Sequence, residues 1–243
     1  MNSTVVPTIV PRIVVAMDGP SGSGKSSTAR GVATALGLRY LDTGAQFRAM
    51  TRWMLDNDVD VTDHALVATL ADRPVIASGS DPQDPTIAVD GVDVATAIRT
   101  QEVTAAVSDV ASVPEVRARL LALQRSLIGD GGIVVEGRDI GSVVWPEAEV
   151  KLYLTADPAA RAARRAAENG STSLQATEAD LLRRDAIDSG RAAAPLMVPA
   201  GAIHLDTTPW DLDEVIDRVV AIIEQAGGAA ARPDADPVHR ASS

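Results

Sequence analysis

The chain has 243 residues, of which 46% are hydrophobic and 23% are charged, a balance typical of a globular protein that excludes disorder throughout. It contains no cysteine, which excludes disulfides, zinc–cysteine sites, iron–sulfur clusters and a cysteine nucleophile. Its three scattered histidines argue against a histidine-rich metal site, and its net charge of −11 argues against broad binding to nucleic acid.

The apolar runs of the sequence are short. The longest, such as 13–17 and 133–135, have the length of strands and fall far short of the roughly 18 residues of a membrane span. Residues 1–11 contain two prolines and no charged segment ahead of an apolar block, so we expect no secretory signal. We therefore expect a cytoplasmic protein with no membrane partner.

Strand-like runs alternate with helical patterns along the chain. The strand-like runs cover 12–17, 133–136, 150–154 and 202–205, and the helical stretches cover 25–36, 44–57, 102–111, 114–128, 158–168, 178–189 and 211–225. Short apolar strands that alternate with helices predict a parallel sheet covered on both faces.

Three segments depart from this alternation. Residues 73–98 contain short β-rich runs, and Asp90-Gly91 between two of them predicts a hairpin, so this part is expected to be a small antiparallel insert. Residues 1–10 lack periodicity, and residues 227–243 are rich in Gly, Ala, Pro and Ser. Both ends are predicted to be unstructured.

The first chemical motif lies between a predicted strand and a predicted helix. Gly19 to Ser26 fit the pattern G-x-x-x-x-G-K-S/T of a phosphate-binding loop. Glycines let backbone N–H groups point at phosphate oxygens, Lys25 is placed to reach the outer phosphates, and the Ser26 hydroxyl is placed to ligate Mg²⁺. The alternative is a Gly/Ser-rich turn that contains a lysine by chance. The predicted strand before the loop, the loop itself and the predicted helix after it all agree with the motif.

A phosphate-binding loop alone fits kinases, ATPases and GTPases. The N-K-x-D motif that reads guanine is missing, because no lysine follows Asn2, Asn57 or Asn169. The signature segment of ABC-type ATPases is missing too. The remaining basic residues favour a kinase with a second anionic substrate.

Two further segments carry polar residues next to predicted elements. Thr43 is predicted to cap the second helix with Gln46 as its partner, and for Arg48 alone a surface position is the simpler interpretation. Residues 133–139 form an apolar strand that ends in Glu136, Arg138 and Asp139. In open α/β sheets ligands bind beyond the carboxyl ends of strands, where an acid can hold the water shell of Mg²⁺ and an arginine can clamp phosphate; the alternative is an Arg–Asp ion pair in a tight turn.

Residues 158–195 are locally basic, with six arginines against five acids. Arg184, Asp188 and Arg191 are spaced so that they share one helix face, unless the helix ends near Gly190. Such a face could neutralise charge on a transferring phosphoryl group. A solvated, salt-bridged helix is the alternative for any single arginine.

Taken together, six segments resemble bacterial cytidylate kinase, a P-loop nucleoside monophosphate kinase family. They are, in order, DGPSGSGKSS, LDTGAQFR, IRTQEV, VPEVR, EGRDIGSVV and RRDAIDSGRAAAPL, and the resemblance covers about residues 12–225. It implies an α/β fold of the P-loop NTPase type: a central parallel five-stranded sheet flanked by helices, with an enlarged NMP-binding insert and a short lid. The kinase domain would cover 11–226, with the insert (antiparallel β plus helices) at about 58–115 and the lid region at about 158–191.

The resemblance also implies roles for individual residues. Gly19, Pro20, Ser21, Gly22, Ser23, Gly24, Lys25, Ser26 and Ser27 would bind the ATP phosphates, with Arg161 and Arg165 of the lid region facing ATP. Thr43, Arg48, Arg138 and Arg191 would surround the CMP phosphate; Ser108, Arg117 and Asp139 would read the cytosine; Arg184 and Asp188 would contact the monophosphate and sugar. The catalytic set would be Lys25, Arg138, Arg184 and Arg191, with Mg²⁺ held by Ser26 and, through water, by Glu136.

Three positions depart from the family pattern, which often has Ser, Tyr and Asp where this chain has Thr43, Phe47 and Glu136. Thr43 keeps the hydroxyl of serine, whereas Phe47 lacks the hydroxyl of tyrosine. Glu136 keeps the charge of aspartate but places it one methylene further from the backbone. The implied reaction is transfer of phosphate from ATP to CMP or dCMP in the presence of Mg²⁺. We expect a monomer, since no coiled-coil seam or long apolar face stands out, and no nucleic-acid partner, given the net charge. A P-loop kinase for UMP or shikimate, and a nucleotide-binding switch without transfer, are the alternatives.

Overall fold

The computed structural model describes residues 12–169, 173–190 and 194–230. The elements in chain order are β1 (Val14–Asp18), α1 (Lys25–Leu36), β2 (Arg39–Asp42), α2 (Thr43–Asp56), α3 (His64–Leu70), β3 (Ile76–Ser78), β4 (Ile87–Val89), β5 (Val92–Asp93), a 3₁₀ turn (Ala97–Arg99), α4 (Gln101–Ser112), α5 (Pro114–Ile128), β6 (Ile133–Glu136), a π-helical turn (Ile140–Val144), β7 (Val150–Thr155), α6 (Pro158–Asn169), α7 (Leu174–Gly190), β8 (Ile203–Asp206) and α8 (Leu212–Ala230).

Five strands form a parallel sheet in the order β2-β6-β1-β7-β8, which confirms the predicted α/β class. The strand β1 lies in the middle, with Met17 opposite Glu136 of β6 and opposite Leu152 of β7. Asp42 at the end of β2 is also opposite Glu136. The carboxyl ends of β2, β6 and β1 therefore meet at one edge of the sheet.

Both faces of the sheet are covered by apolar side chains. Val15 and Met17 of β1 pack with Val32 of α1 and Val219 of α8 on one face. Val14 and Ala16 point the other way, into a cluster that includes Ile128 of α5 and Ile140. This alternation along a strand buried on both faces explains why β1 reads as a continuous apolar run.

A second apolar core lies in the insert. The strands β3, β4 and β5 form an antiparallel sheet, and Asp90 and Gly91 make the predicted hairpin turn with φ of 52° and 81°. The Asp90 carboxylate accepts hydrogen bonds from Trp53 Nε1 at 3.0 Å and from Val75 N at 2.8 Å. It thereby anchors the hairpin to α2, whose Met50 and Met54 are buried in the same core.

The predicted bounds of α1 and α5 agree with the structure, whereas other elements differ. The helix α3, the 3₁₀ turn and the π-helical turn were not predicted, and α7 begins four residues before the predicted start at 178. Helix α8 runs to Ala230, so residues 227–230 are helical rather than part of an unstructured tail. The predictions for 1–10 and 231–243 fall outside the described residues. Within the part of the chain that the structure covers, no helix has the length and apolarity needed to cross a membrane.

Gly131, two residues before β6, is packed closely against the backbone of Arg12. It has a φ of +87°, and a Cβ there would lie 2.0 Å from the carbonyl oxygen of Arg12. Gly37, after α1, also has a positive φ of +65°, but a Cβ there would meet nothing within 4 Å. We predict that Gly131→Ala lowers the free energy of unfolding by at least about 3 kcal/mol and Gly37→Ala by about 1 kcal/mol, measured by urea denaturation. Equal losses would show that the contact with Arg12 is easily relieved.

Candidate active site

The predicted phosphate-binding loop connects β1 to α1, at the edge where the strands end. Gly19, Gly22 and Gly24 have φ of 142°, 76° and 87°, which side chains rarely tolerate. A Cβ at Gly19 would lie 2.0 Å from the carbonyl oxygen of Leu154, so β7 also excludes a larger residue there. The helix starts at Lys25, and its N-cap Gly24 offers no side-chain hydrogen bond to the first N–H groups. A helix N-terminus of this kind suits an anion.

Lys25 lies at the mouth of this loop. Its Nζ donates a hydrogen bond to the carbonyl oxygen of Pro20 at 2.7 Å. Burial, followed by the positive charge of Arg138, lowers the pKa of Lys25 to about 8, while Glu136 and Asp185 act in the opposite direction. A phosphate group beside Lys25 would favour its charged form.

Glu136, at the end of β6, is buried and accepts two side-chain hydrogen bonds. Ser26 Oγ donates to its Oε2 at 2.9 Å and the Tyr40 hydroxyl donates to its Oε1. Burial, followed by the negative charge of Asp42, raises the pKa of Glu136 to about 7. A serine hydroxyl and a carboxylate side by side are hard oxygen ligands of the kind that Mg²⁺ prefers.

The start of α2 differs from the prediction. Asp42, not Thr43, is the N-cap, because its Oδ1 accepts from Ala45 N at 2.9 Å. Gln46 is not a capping partner, since its Nε2 donates to Ser78 Oγ at 3.1 Å. Thr43 Oγ1 instead donates to the main-chain oxygen of Glu136 at 2.7 Å, so its hydroxyl joins α2 to the end of β6.

The interpretation of Arg48 as a surface residue is wrong. Its Nη1 donates to Thr104 Oγ1 at 2.9 Å and to the carbonyl oxygen of Ile98 at 3.1 Å. Burial, followed by the charges of Arg165 and Arg184, lowers the pKa of Arg48 to about 10. The 3₁₀ turn and α4, which supply its partners, thus direct this cation into the cleft.

On the far side of the cleft, Arg117 of α5 forms an ion pair with Asp139, which is only 4% exposed. The Arg117 guanidinium also lies over the Phe47 ring, 5.2 Å from its centroid, which is the range of a cation–π contact. Ser108 of α4 lines the cleft together with both residues of this pair. The sequence prediction that these three polar residues come together is consistent with this geometry.

The structure adds Asp18, a residue that sequence analysis missed. Its carboxylate is fully buried and accepts from Ile140 N and Gly141 N, each at 2.7 Å. Burial is the main cause that raises the pKa of Asp18 to about 6. The sequence feature that could have pointed to Asp18 is an acidic residue at the end of an apolar strand. Its function in the fold is to hold the turn that follows Arg138 and Asp139.

Arginines of α6 and α7 line the cleft or contact the loop. Arg184 is 5% exposed, 3.3 Å from an Asp180 carboxylate oxygen, and burial lowers its pKa. Arg165 lines the cleft, whereas Arg161 contacts Ser21 O at 3.0 Å and forms an ion pair with Asp185. Arg164 was missed; it donates to Thr207 Oγ1 and O, both at 2.8 Å. Helical spacing alone does not show which of Arg161, Arg164 and Arg165 faces the cleft.

One cleft receives most of the predicted site residues. Its lining includes Ser21, Gly22, Gly24, Lys25, Ser26, Ser27, Thr43, Arg48, Ser108, Arg117, Glu136, Arg138, Asp139, Arg165, Arg184 and Asp188. Gly19, Pro20, Ser23 and Arg161 are not part of this lining, and the predicted Arg191 falls outside the described residues. Residues predicted to bind phosphate and residues predicted to read the base therefore line one cleft.

Residues 15–225 match the family model of cytidylate kinase. The chain belongs to the cytidylate kinase family. A cytidylate kinase of Streptomyces avermitilis is 54% identical over 222 residues, which cover 90% of this chain and 96% of that protein. A cytidylate kinase of Streptomyces griseus is 55% identical over 224 residues, which cover 91% and 97%. A gluconokinase structure from Sinorhizobium meliloti 1021, 14% identical with a TM-score of 0.50 over 90% of this chain and 95% of its own, shares the fold.

The Tyr40–Glu136 hydrogen bond gives a testable prediction for this family member. Tyr40→Phe removes a donor to the ionised carboxylate, so the pKa of Glu136 should rise above about 7 by roughly half to one unit. The measurement is an NMR titration of protein labelled with ¹³C-carboxyl glutamate, with the signal assigned by Glu136→Gln. Tyr153→Phe on β7 is the matched control and should leave this titration unchanged. An unaltered midpoint in Tyr40→Phe would contradict the hydrogen bond's electrostatic role.

Proposed function

We propose that this chain transfers the γ-phosphoryl group of ATP to CMP and dCMP, yielding ADP and CDP or dCDP. The observation that carries the proposal is a single cleft lined both by the phosphate-binding loop and by the buried Arg117–Asp139 pair. Membership of the cytidylate kinase family supports the choice of substrate.

The donor side of the cleft is built by the loop and α1. Backbone N–H groups of the loop and the positive end of α1 suit the ATP phosphates. Lys25, with its pKa lowered to about 8 by burial, becomes fully charged when phosphate oxygens surround it. Arg165 on the cleft lining adds a further cation from α6.

Mg²⁺ fits the residues next to this loop. The Ser26 hydroxyl lies 2.9 Å from the Glu136 carboxylate, and both would hold the ion, with Glu136 acting through water. Among the described residues, no group of three or more His, Cys, Asp or Glu side chains is placed to hold a metal. Mg²⁺ in this position supplies charge neutralisation to the donor phosphates.

The acceptor side needs cations and no general base. The second pKa of a phosphate monoester is about 6, so the CMP phosphate is already largely ionised at neutral pH. One of its oxygens forms a bond to the γ-phosphorus while the bond from that phosphorus to the bridging oxygen breaks, and ADP leaves with the electron pair. Arg48, Arg138 and Arg184 are assigned the neutralisation of the charge that spreads over the phosphoryl oxygens, with Thr43 holding the acceptor phosphate.

Ser108, Arg117 and Asp139 are assigned the reading of the base. Cytosine has an amino donor where uracil has a carbonyl acceptor, and a buried carboxylate accepts from the first and repels the second. Asp139 is 4% exposed and held by Arg117, so the carbonyl of the wrong base would face a buried negative charge and gain no hydrogen bond from it. Asp188 is assigned to the sugar.

Two segments would move around this cleft. We assign residues 58–115 to a substrate-binding insert and residues 158–191 to a lid. Arg138 already joins the sheet to α7 through Asp185 and Asp188, at 3.1 and 3.2 Å. Closure of α6 and α7 over both nucleotides would exclude water and suppress hydrolysis of ATP.

A coupled assay of ADP release tests the proposal. With ATP and Mg²⁺, CMP and dCMP should support turnover, and UMP, GMP, AMP and shikimate should support it at least about a hundredfold less efficiently. Lys25→Ala should lose most turnover and unfold at nearly the same temperature as the wild type. ATP binding without ADP release for any acceptor would favour a nucleotide-binding switch, and a preference for UMP or shikimate would identify another P-loop kinase.

Asp139→Ala tests the assignment of base recognition. We expect the ratio of kcat/KM for CMP to that for UMP to fall by at least about tenfold, because the accepting carboxylate is lost. The Kd for ATP, measured by calorimetry, should change by less than about threefold, since the loop is untouched. Parallel losses of CMP and ATP affinity would contradict the assignment.

A further inference from the structure

Asp185 occupies the inner face of α7 but belongs to neither the phosphate-binding loop nor the proposed recognition of CMP. Leu181, Arg184 and Asp188 recur with it at helical spacing and are buried, while their neighbours Leu182, Arg183, Ala186 and Ile187 are exposed. The Asp185 side chain is 15% exposed. The helix therefore turns this carboxylate towards the sheet.

Asp185 contacts the phosphate-binding loop through its backbone. Its Oδ1 accepts a hydrogen bond from Ser21 N at 3.1 Å. Arg161 Nη1 donates to the carbonyl oxygen of the same Ser21 at 3.0 Å and also forms an ion pair with Asp185. Both polar backbone groups of one loop residue are thus held by α6 and α7, which follow it by 140 and 164 positions in sequence.

The same carboxylate also orients Arg138. The Nη1 of Arg138 lies 3.1 Å from Asp185 Oδ1 and 3.3 Å from the carbonyl oxygen of Gly19, while its Nη2 lies 3.2 Å from Asp188 Oδ2. A planar guanidinium held at two nitrogens has a fixed direction. Arg138 and Arg161, which follow β6 and begin α6, therefore share one anionic partner.

The charge of Asp185 is needed because cations surround it. It raises the pKa of Lys25 and of Arg184, against the lowering that burial causes in both. Arg138 lowers the pKa of Lys25, which shows that these cations repel each other. Without the carboxylate, Arg138 and Arg161 lose their common partner, and mutual repulsion favours arrangements in which they lie further apart.

We propose that Asp185 is a positioning residue for phosphoryl transfer, which holds Arg138 and Arg161 against the phosphate-binding loop when α7 lies over it. The inference rests on the proposed function, because the arginines need a transferring group on which to act. Since charge neutralisation is required most in the transition state, loss of this alignment reduces kcat more than it raises KM.

Asp185→Asn is the variant that separates charge from shape. The amide keeps an oxygen that can accept from Ser21 N, but it loses the charge that holds the two arginines. With saturating ATP and Mg²⁺, kcat should fall at least about tenfold while the KM for CMP changes less than about threefold. Asp217→Asn, at an exposed position of α8, removes the same charge elsewhere and should leave both values unchanged.

A double-mutant cycle distinguishes positioning from a general structural role. If Asp185 acts through Arg138 and Arg161, Asp185→Asn in a background that carries both Arg138→Ala and Arg161→Ala should lower kcat by no more than about threefold. A tenfold loss in both backgrounds would overturn the proposal, as would wild-type kcat in the single Asp185→Asn variant. Thermal unfolding of each variant checks that the fold persists.

Should Asp185→Asn fail to fold, Asp185→Glu takes its place in the same cycle, since it keeps the charge and displaces it by one methylene. The expected result is a smaller loss of kcat that again disappears when both arginines are absent, and losses that multiply overturn the proposal. A wild-type protein that releases no ADP with CMP refutes the proposed function itself. If the wild-type protein is active and the losses of kcat multiply, only the positioning role is refuted.

Discussion

The buried carboxyl group of Glu136 holds the candidate site together. Ser26 at the start of α1 and Tyr40 on β2 donate to its carboxylate, and Thr43 at the start of α2 donates to its main-chain oxygen. Because β6 lies between β1 and β2, one residue connects the phosphate-binding loop to the element that carries Arg48. Burying an ionisable group is costly, and the raised pKa of about 7 reflects that cost. Its hydrogen bonds make the burial tolerable and fix three backbone segments relative to one another.

Electrostatic repulsion is the second constraint. A chain with a net charge of −11 concentrates Lys25, Arg48, Arg138, Arg165 and Arg184 around one cleft. Burial and neighbouring cations lower the pKa of Lys25 and of Arg48, so these charges destabilise one another while no anion is bound. Anionic substrates relieve that repulsion as well as making new contacts. Aspartates on α7 compensate part of it within the protein.

Local signals in the sequence predicted much of the fold, whereas long-range contacts could not be predicted. The strand, loop and helix around Lys25 follow from neighbouring residues, and the hairpin follows from Asp90-Gly91. The cap of α2 was misassigned because Asp42 and Thr43 are both good N-cap residues, and only the position of β6 decides between them. The Asp18 and Asp185 contacts join residues 122 and 164 positions apart, so no spacing rule reveals them.

The cleft lies where two separately packed apolar cores meet, one around the parallel sheet and one within the insert. Helix α2 starts at the edge of the sheet and buries Met50 and Met54 in the insert. Helix α5 belongs to both cores, with Val116 and Leu120 in the insert and Ile128 against the sheet. A displacement of the insert relative to the sheet would therefore also displace α5, and with it Arg117 of the cleft lining.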